Sequence, residues 1–180
     1  MNKFIAIFFL VLFTSCFYFP FIPTFFPIAN TKMVLAALGL VVLLFKWAKG
    51  RGGEVDKGVL VLTLFALMVG CVSLFTESYH ETGGNAYVTL FVSMWVWLGA
   101  AYFVSQMIES VHGEVTMRLF CNYIIVVCVV QCLIAITKEL YLPAKIFVDS
   151  LLADTGFMGR AEGRMYGIGA ALDEIGRAHV

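Results

Sequence analysis

Five stretches of nearly unbroken apolar residues, separated by short polar connections, organise this 180-residue chain. They run from Phe4 to Phe21, Lys32 to Trp47, Gly58 to Phe75, Tyr87 to Met107 and Leu119 to Ile136. A helix needs about 20 mostly apolar residues to cross the hydrocarbon core, and it satisfies its own backbone polar groups there. The pattern therefore predicts an all-α fold, a polytopic transmembrane helix bundle of about five spans filling residues 1–137. Between the first two runs lies PFIPTFFPIAN, where Pro20, Pro23 and Pro27 remove backbone donors and enforce a turn with aromatic residues at the interface. Beyond the fifth run, LPAKIFVDSLLADTGF predicts a short amphipathic helix along the outer membrane surface. Pro143 suits its start and Gly156 its stop, with Ile146, Phe147, Leu151 and Leu152 on the apolar face.

Composition removes the soluble alternatives. Apolar residues make up 61% and charged residues 13%, against roughly 25% charged in an ordinary soluble domain, so a soluble core is excluded. The formal charge is zero and no basic tract alternates with aromatic residues, so nucleic acid is not an expected partner. Cys16, Cys71, Cys121, Cys128 and Cys132 all fall within apolar runs, none in a CxxC pair or at metal-ligand spacing from a His. They read as small buried apolar residues, and neither a metal nor a cofactor is expected.

Orientation follows from Lys and Arg in the short connections. Lys46, Lys49, Arg51 and Lys57 fall in the second connection, whereas the third, ESYHETGGNA, has neither Lys nor Arg. The second connection is therefore read as cytoplasmic. Alternation then places the amino terminus and the loop holding Arg118 inside, with ESYHETGGNA and everything after about Thr137 outside. The expected location is the inner (cytoplasmic) membrane of a bacterium, with residues 138–174 opening a periplasmic loop. The start MNKFIAIFFLVLFTSC also has the outline of a lipoprotein signal. Phe13 stands where such signals favour Leu, however, and Phe17, Tyr18 and Phe19 continue the apolar run, which favours a retained first span.

The closing EIGRAHV coincides with one reading frame of a common sequencing-library adapter, GAG ATC GGA AGA GCA CAC GTC. Residues 175–180, with Glu174, are accordingly expected to be artefact, and the chain to be the amino-terminal part of a longer protein. Such a fragment would be inactive alone.

Candidate chemistry concentrates in GRAEGRMYGIGAALD, residues 159–173, where Arg160 and Arg164 stand four positions apart on the expected outer side. Arg presents a planar donor fork that binds phosphate oxygens bidentately and keeps its charge near a membrane. Gly159, Gly163, Gly167 and Gly169 allow close backbone approach to a ligand. The plainer reading is a solvated loop in which these Arg residues pair with Glu162 or Asp154. Lys145 could add a third cation or snorkel to lipid headgroups. His80, between Glu77 and Glu81, could act as a base oriented by a carboxylate or sit solvated at the interface. Asn122 and Gln131, inside the fifth run, are expected to hold helices together.

Five spans followed by an outward RMYGIGAALD resemble the O-antigen polymerase and O-antigen ligase superfamily, which enters a large periplasmic region through an Arg-x-x-Gly type motif. Arg164 and Gly167 match that Arg and Gly. Many relatives continue Gly-Asn-Pro-Asn, whereas this chain has Gly169, Ala170, Ala171, Leu172 and Asp173, which leaves its branch of the superfamily open. The resemblance implies an integral-membrane glycosyltransferase that uses no metal and no nucleotide sugar. Its donor partner would be a glycan on undecaprenyl diphosphate, and its acceptor a glycan or lipid A-core hydroxyl. Such a reaction needs cations to hold the departing diphosphate, a role that Arg160 and Arg164 fit, with Gly167 beside them in the matched motif; Lys145 and His80 are weaker candidates for substrate contact, from their own charge and setting and not from the resemblance.

The rival from another class is a multi-span transporter or flippase. A transporter tends to carry ionisable groups near the midplane of its spans, and the interiors of all five runs lack Asp, Glu, Lys and Arg. That distribution favours chemistry at the outer face.

Overall fold

The computed structural model describes residues 3–27, 29–51, 57–80 and 86–152. Its elements are α1 (Lys3–Tyr18), α2 (Thr31–Lys46) with a π-helical turn at Trp47–Arg51, α3 (Lys57–His80), α4 (Ala86–His112), α5 (Met117–Leu140) and α6 (Leu142–Leu151). Among the described residues, four stretches have the length and apolarity to cross a membrane: Thr31–Lys49, Leu60–Tyr79, Phe91–His112 and Met117–Leu140. The fifth expected span, α1, is a shorter apolar helix. The fold is thus an all-α polytopic bundle. Its outward surface is correspondingly apolar: Leu60, Val61, Leu62, Leu64 and Phe65 are each more than half exposed, as suits helices whose solvent is lipid.

Helix ends follow local chemistry. Asn30 Oδ1 accepts from Met33 N at 2.8 Å, capping the start of α2, and Thr116 Oγ1 accepts from Leu119 N at 3.3 Å to cap α5. Gly113 ends α4 at φ +83°, a left-handed conformation that glycine adopts without a Cβ clash, and its N–H donates to Glu109 O at 2.7 Å. The three prolines of the α1–α2 connection keep it non-helical, as expected. Thr31 then closes the turn. Its N–H donates to Phe21 O at 2.9 Å, and its hydroxyl accepts from Phe21 N and donates to Cys16 O, each at 3.2 Å.

The described residues divide into two compact units, one within residues 36–103 and the other formed by residues 3–35 with 104–152. In the first, α2 and α4 approach through small residues. A Cβ added to Gly39 would collide with the Gly99 carbonyl, and one on Gly99 would lie 3.2–3.3 Å from Ala36. Such contact lets backbones pack closely where lipid supplies no hydrophobic drive between helices. Gly70 similarly gives room to the Phe91 ring.

In the second unit Ala6, Leu10, Thr14 and Phe17 form the buried stripe of α1, at the three- and four-residue spacing of one helix face. On α5 the buried set is Tyr123, Val127, Gln131 and Lys138. Gln131 Nε2 donates to Ser15 Oγ at 3.0 Å, so this side chain does join helices, whereas Asn122 is exposed. Tyr18, one turn beyond Ser15, meets Phe120 with ring centroids 6.2 Å apart, eleven residues before Gln131 on α5. Helices running side by side in one direction would separate those levels by about 20 Å, beyond the reach of two aromatic side chains. The contacts advance in opposite senses, so α1 does not run alongside α5 in the same direction, as alternation of five full spans would have it. With sixteen residues α1 is about 24 Å long, short of the roughly 30 Å core.

The cysteines differ from expectation. All five are free, but Cys71, Cys121, Cys128 and Cys132 are exposed and Cys16 only partly covered. Burial statistics from water-soluble cores do not carry over to helix faces that lipid covers.

Candidate functional site

The polar groups that gather in the second unit lie where α5, α6 and the α1–α2 connection meet. Lys138, in the last turn of α5, is buried at 4% exposure, and its Nζ donates to Asp149 Oδ1 of α6 at 2.6 Å. A buried ammonium is costly unless paired and hydrogen-bonded, so this pair fixes the approach of α6 to α5. Leucine 142 and Pro143 supply the first turn of α6, directly after Tyr141, whose extended backbone breaks α5 from α6.

The far end of α6 is held by the α1–α2 connection. Thr24 N donates to Leu151 O at 3.0 Å, Thr24 Oγ1 donates to Ser150 O at 2.9 Å, and Pro23 forms an isolated antiparallel bridge with Leu152. These bonds satisfy carbonyls that the end of a helix leaves open. They also explain why α6 ends at Leu151, with Leu152 extended as its cap, rather than at Gly156. The apolar face expected for α6 is present and uncovered, with Ile146 and Phe147 both about two-thirds exposed. Lys32, the second residue of α2, is a further buried cation in this unit.

The residues expected to carry chemistry are distributed as follows. Arg160, Arg164 and Gly167 lie outside the described residues, as do Glu81, Asp154 and Glu162. His80 is the last residue of α3, and its side chain is outside the described set. One turn earlier, Glu77 Oε2 is buried with no hydrogen-bond partner. Lys145 is described and exposed on α6. None of these is brought against another among the described residues. Among those residues no three His, Cys, Asp or Glu side chains converge as a metal site would require.

Sequence reading missed two relationships. Lys138 reads as an ordinary span-end lysine, and nothing in its spacing pointed to Asp149. His112 and Tyr123, which share a 2.8 Å hydrogen bond between α4 and α5, were also unmarked. In both cases a polar residue inside or at the margin of an apolar run was the available signal, since such residues rarely stay unpartnered in lipid.

No protein family, curated protein or solved structure matches the chain. Any functional reading therefore rests on its own residues and on the resemblance carried by residues 159–173.

Proposed function

We propose that this chain belongs to an integral-membrane glycosyltransferase of surface-polysaccharide assembly, of the O-antigen polymerase or ligase type. It would transfer a glycan from undecaprenyl diphosphate to an acceptor sugar hydroxyl at the outer face of the bacterial inner membrane. The observation that carries the reading is the RMYGIG segment, with Arg164 and Gly167, placed after a run of apolar spans and a surface helix. Orientation rests on Lys46, Lys49, Arg51 and Lys57 in the second connection, and needs only α3, α4 and α5 as spans. Chemically, Arg160 and Arg164 would neutralise the diphosphate as it departs, while a base takes the acceptor proton.

A transporter or flippase is the second reading. The charged residues of the four long helices, Lys32, Lys46, Glu77, Glu109, Lys138 and Glu139 among them, stand toward helix ends rather than near the middle, which supports the first reading over this one. The test is Arg164→Ala and Arg164→Lys in a strain dependent on this protein for surface glycan. Loss of chain extension or transfer, at unchanged membrane protein level, is expected of both. A normal glycan profile in Arg164→Ala would remove the catalytic assignment.

A further inference from the structure

Between Lys3 and Lys32 the chain carries no charged side chain, although this stretch holds both α1 and the connection to α2. A connection in water has no need of such a composition, whereas one inside the bilayer must avoid charge. The contacts of α1 define how it lies against α5. Ser15 meets Gln131, just past the middle of α5, while Tyr18 meets Phe120 and stands within electrostatic range of Cys121 and Cys128, all in the first half of α5. In the other direction, the twelve residues of α1 before Ser15 rise about 18 Å, and the nine residues of α5 beyond Gln131 rise about 14 Å. The Lys3 end of α1 therefore stands level with the end of α5 where α6 begins.

Beyond Tyr18 the chain turns back. Pro20, Pro23 and Pro27 prevent a continued helix, and Thr24 is bonded to Ser150 O and Leu151 O at the end of α6. The six residues from Tyr18 to Thr24 reach at most about 20 Å, enough for the roughly 18 Å of α5 between Cys128 and Leu140. Irregular backbone survives at membrane depth only where protein or a cavity supplies its partners. The connection has such partners. Phe19 N donates to Ser15 O at 2.8 Å, Phe21 is bonded to Thr31 through both its N–H and its carbonyl, and the Thr31 hydroxyl donates to Cys16 O. We infer that α1 and the α1–α2 connection form a re-entrant element: α1 enters the bilayer from the side that holds α6 and stops inside it at Tyr18, and the connection returns to that same side, where α6 straps it down through Thr24.

The inference needs neither the proposed transferase activity nor a choice of which membrane side is the outer one. It puts the Lys3 end of α1 with α6 and opposite Lys49, whereas a full first span would put that end on the side of Lys49. Asn2→Cys, Lys49→Cys and Lys145→Cys are made singly in the full chain, and spheroplasts and lysed membranes are treated with a membrane-impermeant maleimide. The unchanged chain supplies the background from its five native cysteines. Asn2→Cys should label in step with Lys145→Cys and out of step with Lys49→Cys, and labelling in step with Lys49→Cys would overturn the inference. A reversed orientation of the whole chain would move Asn2→Cys and Lys145→Cys together, so it is told apart from a failure of the re-entrant reading. Should Asn2→Cys stay unlabelled even after lysis, Tyr18→Cys decides through a short bifunctional thiol reagent and peptide mapping. A cross-link from position 18 to the native Cys121 is expected. Absence of that product, or its replacement by a cross-link to a cysteine introduced by Tyr141→Cys, would overturn the inference, because a first span running alongside α5 would end level with Tyr141.

Discussion

Lys138 and Asp149, on successive helices, form a 2.6 Å ion pair in which the lysine is almost wholly buried. Removing one member of a dry pair costs about 3–5 kcal/mol, but Asp149 keeps 17% exposure, so about 1–3 kcal/mol is the fitting expectation here. Asp149→Asn should loosen α6 from α5, seen as faster thiol labelling of a cysteine placed at the part-buried Val148. The double change Lys138→Met with Asp149→Leu should recover much of the loss, because it leaves no unpaired charge. A double variant as labile as the single one would mean that the pair does not hold α6.

Between α1 and α5, the Gln131 to Ser15 hydrogen bond should contribute modestly. Interhelical polar contacts in membranes average about 0.6 kcal/mol and reach about 1.7. Gln131→Leu is therefore expected to lower unfolding stability in mixed micelles by that order, with Ser15→Ala giving a similar loss. The two effects should be less than additive, and strict additivity would show that the contact is absent in the membrane.

The glycines of residues 36–103 offer a graded comparison. Gly39→Ala drives a methyl into the backbone carbonyl of Gly99, which cannot move without shifting a helix, and overpacking of that kind costs about 1–3 kcal/mol. Gly70→Ala meets only the Phe91 ring, which can rotate away. Thermal unfolding should therefore rank Gly39→Ala as the more harmful, and the reverse order would contradict the α2–α4 approach.

At Gly113 the limit is conformational. No atom would touch an added Cβ, yet φ is +83°. Gly113→Ala should cost about 1 kcal/mol or more, and Gly113→Asn less, because Asn tolerates the left-handed region. Equal melting of the two variants would show that the α4–α5 turn relaxes.

An alkaline phosphatase reporter joined after Phe157 should be active in intact cells, and one joined in the α2–α3 connection silent. Silence after Phe157 would reverse the orientation on which the outer-face chemistry depends.

The helices were legible because lipid imposes a single demand, long apolar stretches, that composition displays directly. The prolines of the first connection and the Pro143 start of α6 were legible for the same reason, being local rules of the backbone. What escaped was tertiary. The stop of α6 is set by Pro23 and Thr24, more than a hundred residues earlier, and no local signal competes with Gly156 as a helix breaker. Lys138 stands at a span margin where lysines commonly snorkel, so its burial under α6 could not be read from spacing. The direction of α1 against α5 is likewise set by contacts, Tyr18 with Phe120, rather than by the apolar run. Of the candidate site, Lys145 is described as a surface cation, while the Arg160 to Gly167 segment lies beyond the described residues.

The hydrogen bond from Thr24 to Ser150 joins residues 126 positions apart. At a synthesis rate of about 5–20 residues per second, the first connection must wait roughly 6–25 s for its partner to be made. During that interval α2 to α5 are synthesised while the earliest turn still lacks its partner. The first turn of this chain is therefore completed last, so a defect in α6 would be felt at the α1–α2 connection, distant in sequence though adjacent in the fold, as a failure of assembly order.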